Sequence, residues 1–199
     1  MLKLRFAIVV GMAFLSAGCA TNHYRHTHTG QLSGRMLVEW MQPDRFLFIP
    51  DERRPLKFTR SDGTTIQPER MYTDGGSIPR PLWALRNYSP WGYGPAFMIH
   101  DWLFRMQYCE LPGWQSYTVD SAAQIMSEVM KSMMESPAFN YGDKTTVYLM
   151  NVAVRSPMTR KAWKSRKCEP LPSEAADTWH PSAKFVFDFD EQSGSPPSP

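Results

Sequence analysis

Apolar and polar positions alternate with a period near two in the first half of the chain and recur every third or fourth residue in the second half. The stretches GRMLVEWMQ (residues 34–42), RFLFIP (45–50) and PLKFTR (55–60) are short, rich in β-branched and aromatic residues, and cut by the turn-forming QPD and PDERRP. SDG then closes a turn before TTIQP, so the spacing predicts an antiparallel meander. From residue 79 onward the period changes. PRPLWALR (79–86) and GPAFMIHDWLFRMQ (94–107) each carry proline early, where its missing N–H costs a helix little. In VDSAAQIMSEVMKSMM (119–134), Ala122, Ile125, Met126, Val129, Met130 and Met133 form one helical stripe, and Thr118 is placed to cap it. DKTTVYLMNVAVR (143–155) and PMTRKAWKSRK (157–167) complete the helical half. The predicted class is α+β: short antiparallel strands in the N-terminal half packed against about four helices in the C-terminal half.

The two ends follow different rules. Lys3 and Arg5 precede an apolar run from Phe6 to Leu15, and LSAGC then ends at Cys19. That order describes a secretory signal too short to remain as a membrane-spanning helix. Ala17-Gly18 directly before a cysteine resembles the bacterial lipobox, in which the cysteine sulfur is diacylated and becomes the new N-terminus. Residue 20 is alanine rather than the aspartate associated with inner-membrane retention, so the expected address is the periplasmic face of the outer membrane. At the other end, EQSGSPPSP lacks the apolar surface needed to order it, although KFVFDFD alternates like an edge strand. The expected organisation is a signal peptide at 1–18, a polar tether at 19–31, one globular domain at 32–169 and a mostly disordered Pro/Ser-rich tail at 170–199.

Export changes the charge. Loss of Lys3 and Arg5 takes the formal charge from +3 to +1, a balance that implies no nucleic-acid partner. The partners that remain are the membrane, through the lipid anchor, and a protein of the envelope or of a phage. With Cys19 taken by lipid, Cys109 and Cys168 form an even pair in an oxidising compartment and are a disulfide candidate. The methionines at 126, 130, 133 and 134 read as core packing, with an adaptable binding groove as the minority reading. The six cations from Arg155 to Lys167 read as a solvated helix face, with contact to anionic headgroups as the alternative. His23, His26 and His28 sit in the polar segment NHYRHTHTG, whose default is spacer rather than metal capture.

Chemistry concentrates in TDGGSIPR and IHDWL. Asp74 ahead of two glycines is turn chemistry, Pro79 holds Ile78 extended, and the Arg80 guanidinium requires a carboxylate or solvent. On a helix His100 and Asp101 project about 100° apart, which argues against an intimate pair between them. The economical arrangement pairs Asp74 with His100 and Arg80 with Asp101. Three readings stay open. Asp74, His100 and Asp101 can hold a divalent metal with room for water, as hydrolytic sites require. Asp74 can orient His100 as a general base beside Ser77. Or Asp74, His100, Ser77, Arg80 and Asp101 brace a polar corner without catalysis, in a non-enzymatic binding or phage-exclusion module. No H-E-x-x-H or G-x-S-x-G motif narrows the choice, so whether the protein is an enzyme stays open at this point.

TDGGSIPRPLW, MIHDWL and NVAVRSPMTRKAW resemble, in that order, the motifs of a phage-associated bacterial family known as domain of unknown function 1353. The resemblance spans roughly 73–163 and places Asp74, Ser77, Pro79, Arg80, His100 and Asp101 on motif positions. Where that family tends to an Ala-Asp pair, this chain has Ala122-Ala123, with Asp120 slightly earlier. The resemblance implies a compact single domain and a phage or prophage setting. It implies no particular reaction.

Overall fold

The computed structural model describes residues 18–42, 45–73, 92–137, 139, 142–165, 167–171 and 183–189. β2 (Arg35–Gln42) and β3 (Arg45–Pro50) form an antiparallel pair in which Val38 faces Phe48 and Met36 faces Pro50. Alternation brings Met36, Val38 and Phe48 to the core side. β6 (Met71–Thr73) pairs with the outer edge of β3, and β7 (Ala183–Asp188) with the outer edge of β2, giving the order β6-β3-β2-β7. A second sheet has the order β1-β4-β5, from β1 (Gln31–Ser33), β4 (Lys57–Thr59) and β5 (Thr65–Ile66).

The expected meander is therefore split into two sheets. The pivot is Gly34, the single residue between β1 and β2, at φ 90°. A side chain there would be strained by its backbone and would overlap the Pro55 carbonyl, so the swivel needs glycine. The Arg35 N–H donates to the Arg54 carbonyl at 2.8 Å, which fixes where the chain leaves one sheet for the other.

Among the described residues four α-helices lie between β6 and β7. α2 (Gly94–Tyr108) opens with a proline in its first turn and is buried on nearly every side, as an apolar sequence all round its axis requires. α3 (Val119–Glu135) begins at a capping box. The Thr118 hydroxyl accepts the Ser121 N–H at 3.1 Å, and Ser121 Oγ accepts the Thr118 N–H at 2.7 Å. Its predicted stripe is buried against α2, and Met126, Met130 and Met133 are core residues while Met134 packs at the rim. α4 (Lys144–Ala153) is capped by Asp143, which accepts the Thr146 N–H at 2.9 Å. α5 (Pro157–Ser165) buries only Trp163, whose ring meets Phe104 edge-on at 4.6 Å between centroids. Cys109, just past α2, is disulfide-bonded to Cys168, just past α5. The segment 79–86, expected to be helical, lies outside the described residues.

Both ends contribute to the fold. Residues 18–26 are helical (α1) and packed on the domain, not a polar tether. Ala20 and Thr27 are buried, and Lys131 on α3 donates to the carbonyls of Tyr24 and Thr27 at 3.0 and 2.8 Å. The segment lacks an apolar period because side-chain polar bonds, rather than a greasy stripe, hold it. Within the tail, the KFVFDFD run that alternates like an edge strand forms β7, at the edge of the larger sheet. Its Lys184 ammonium reaches the buried Glu39 carboxylate at 2.6 Å, and Asp188 is clasped by Arg35 and Arg54. Residues 190–199 lie outside the described residues.

Candidate functional site

The site is built where β6 meets α2. Thr73 ends β6, and its hydroxyl donates to Asp101 Oδ2 at 2.7 Å, tying the sheet to the middle of the helix. The other oxygen of Asp101 stands 3.6 Å from Nδ1 of His100. The two neighbours that a helical wheel sets apart thus do approach one another. The separation is longer than a hydrogen bond, and the Thr73 hydroxyl holds the other oxygen of the carboxylate. The imidazole lies against the Phe104 ring at 4.6 Å between centroids. Phe104 in turn meets Tyr108 and Trp163 edge-on, so the histidine lies against one member of an aromatic cluster.

His100 is 8 % exposed, and its Nε2 is buried without a hydrogen-bond partner among the described residues. Buried polar atoms are rarely left so. The imidazole thus has a carboxylate oxygen 3.6 Å from Nδ1 and a buried Nε2 without a hydrogen-bond partner among the described residues. That geometry suits a nitrogen that accepts a proton or binds a cation.

Of the residues singled out from the sequence, His100 and Asp101 stand together, whereas Asp74, Ser77 and Arg80 lie outside the described residues. Thr73 was missed as a participant. The available signal was its place directly before Asp74 in the TDGGSIPR motif. Cys19 is an exposed free thiol on α1. The three histidines near the start do not converge: His23 meets Ser127 at 3.3 Å, His26 turns back onto the Asn22 carbonyl at 2.8 Å, and His28 is exposed. Among the described residues no group of three histidines, cysteines or carboxylates is placed to share a metal.

Asp120, the nearest carboxylate to the family's Ala-Asp position, is occupied elsewhere. It accepts from Arg160 at 2.7 and 3.0 Å and from Arg155 at 2.7 Å, and these bonds, Arg160 first, hold its carboxyl below the usual range. Arg155 is the arginine of NVAVR, so that motif serves here to clamp the start of α3 to the α4–α5 corner. A buried polar chain continues from it. Asn151 donates to Ser127 Oγ and to the Ala123 carbonyl, each at 3.1 Å, and Ser127 reaches His23. Ser127 is fully buried, which makes this a lock between α1, α3 and α4 and not a nucleophile.

A family model described as a protein of unknown function (DUF1353) matches residues 53–142. This segment belongs to that family. The DUF1353 segment contains Thr73, His100, Asp101 and Glu128, and the NVAVR motif lies beyond its end. A search of curated proteins and a search of solved structures each found no match. Among the described residues no helix is long and apolar enough to cross a membrane.

Proposed function

We propose that this chain is a lipid-anchored envelope protein of bacterial or prophage origin whose DUF1353 segment binds a divalent cation for hydrolytic chemistry. His100 Nε2 is the ligating atom, Asp74 a second ligand, and Asp101 the carboxylate that orients the imidazole. The observation that carries the reading is the buried, unpartnered Nε2 of His100, backed by Asp101 on the Nδ1 side. Leaving such an atom unsatisfied costs about 1–3 kcal/mol, which a metal or a transferred proton would offset. Metal-bound histidines characteristically present their second nitrogen to a carboxylate or carbonyl. The sequence-based ligand set is thereby revised in one respect: Asp101, with one oxygen toward His100 and the other held by Thr73, acts as a positioning residue. The anchor rests on LSAGC at residues 15–19 and on the exposure of Cys19.

Elemental analysis and titration of the purified full-length protein with zinc, manganese and magnesium test the site. One tightly held metal per chain, absent from a folded His100→Gln variant, supports it. A metal-free protein that gains none on titration overturns it. Incorporation of radiolabelled palmitate, abolished by Cys19→Ala, tests the anchor separately.

The competing reading, a non-enzymatic binding or exclusion module, is favoured by one observation: the Thr73–Asp101 hydrogen bond joins sheet to helix and would brace the fold without any ligand. In that case His100→Gln lowers the melting temperature and changes nothing else.

A further inference from the structure

Between Asp143 and Glu169 the chain contains no acidic residue and seven cations. Six of them are described, and all six are exposed: Lys144, Arg155, Arg160, Lys161, Lys164 and Lys167. Arg155 and Arg160 share the Asp120 carboxylate, and the Lys144 ammonium lies 5.4 Å over the Tyr24 ring. No ion pair among the described residues engages the ammonium groups of Lys161, Lys164 and Lys167. On α5, Met158, Lys161 and Lys164 follow one another at helical spacing on the outward side, opposite the buried Trp163. Beside them α4 presents Leu149 and Val152, 42 % and 49 % exposed, and Met158 is 77 % exposed.

The place of Cys19 bears on what covers this face. Tyr24 lies under Lys144 at the start of α4, while His23 touches Tyr148 and senses the charge of Arg155 beyond its end. Read backwards, α1 thus runs along α4 toward the corner with α5. Cys19 precedes His23 by one helical turn, about 6 Å further in that direction. The exposed cysteine and the basic, partly apolar face lie at the same end of the molecule.

We propose that the outward faces of α4 and α5 form a docking surface for anionic phospholipid. Lys161, Lys164 and Lys167 meet headgroup phosphates, and Leu149, Val152 and Met158 enter the boundary with the acyl chains. A bilayer fits better than a protein partner because the charge is of one sign and exposed apolar and basic groups alternate along the helices as in interfacial helices. The face is argued from its own residues and does not depend on acylation; palmitate labelling reports on the anchor alone.

The test uses the full chain carrying Cys19→Ala, so that no acyl chain contributes, in co-sedimentation with vesicles. Binding to mixed phosphatidylethanolamine and phosphatidylglycerol is expected, with little to pure phosphatidylcholine, and it should weaken as salt rises. Replacing Lys161, Lys164 and Lys167 together by glutamine should weaken binding by about 100-fold, since each such cation contributes about 1 kcal/mol near an anionic surface. Val152→Ser with Met158→Ser should weaken it further at unchanged charge. Equal binding by the glutamine variant, equal binding to neutral vesicles, or retention on heparin without vesicle binding would each overturn the proposal.

Discussion

Arg60 grips the carboxylate of Glu128 with two parallel hydrogen bonds, 2.8 and 2.9 Å long, fastening the strand β4 end of the smaller sheet to the middle of α3. Glu128 is 2 % exposed, and its bond to Arg60 is the first cause of that guanidinium's raised pKa. Removing one partner leaves a buried charge without compensation. Arg60→Ala should therefore destabilise the protein by about 3–5 kcal/mol, whereas replacing Arg60 and Glu128 together by leucine or methionine should cost much less. Thermal unfolding of the two single variants and the double variant measures both. A single-variant loss below about 1 kcal/mol would mean that the pair is solvated like a surface ion pair.

Acid should loosen α1. Burial, and then the nearby charge of Arg155, lowers the pKa of His23 below 6.5. The folded state therefore binds this proton more weakly than the unfolded chain. The stabilising contribution is complete above the unfolded pKa and is lost as pH falls through the folded one, with a slope of at most about 1.4 kcal/mol per pH unit. Melting temperatures followed downward from neutral pH should decline, and His23→Gln should flatten that decline. An identical profile for the variant would remove His23 from the cause.

The bond between Cys109 and Cys168 closes a loop with a sequence separation of 59. Chain-entropy reasoning gives such a link about 4 kcal/mol. Reduction under native conditions, or Cys109→Ala with Cys168→Ala, should lower the denaturant midpoint accordingly while leaving the sheets intact by circular dichroism. Non-reducing peptide mapping of protein from the oxidising compartment should recover the linked peptides.

Thr73→Val removes the hydroxyl that positions Asp101 and keeps nearly the same shape. If Asp101 orients His100 for a cation, metal affinity should fall by about 10–100-fold, as happens when such orienting partners are lost. Thr73→Ser should restore it. A change in melting temperature with unaltered metal binding would instead assign Thr73 and Asp101 to bracing.

These outcomes depend on features that were unequally visible in the amino-acid order. β2, β3 and α3 were legible because each buries one face and so repeats its apolar residues at the matching period, whereas α2, buried on nearly every side, was legible from its early proline and its long apolar run. The Thr118 cap was readable for the same reason of locality. α1 was not, since what holds it is written on another helix: the carbonyls of Tyr24 and Thr27 are bound by Lys131, more than a hundred residues away in sequence. The approach of His100 to Asp101 was also hidden, because a helical wheel records where side chains leave the axis and not where a third residue such as Thr73 draws them. Thr73, directly before Asp74, does bring the sheet onto that helix at Asp101, while the contacts expected of Asp74 and Arg80 lie outside the described residues.

The pairing of β7 with β2 has a consequence for the order of assembly. Val38 waits for Phe185, so one edge of the larger sheet stays open until nearly the whole chain has been made. Contacts this distant in sequence close slowly, and the same delay applies to α1 on α3 and to the cysteine bridge. A chain whose earliest strands can be completed only by its last one resists premature folding. In the exported protein proposed above, such late closure would keep the chain competent to cross a membrane before it folds.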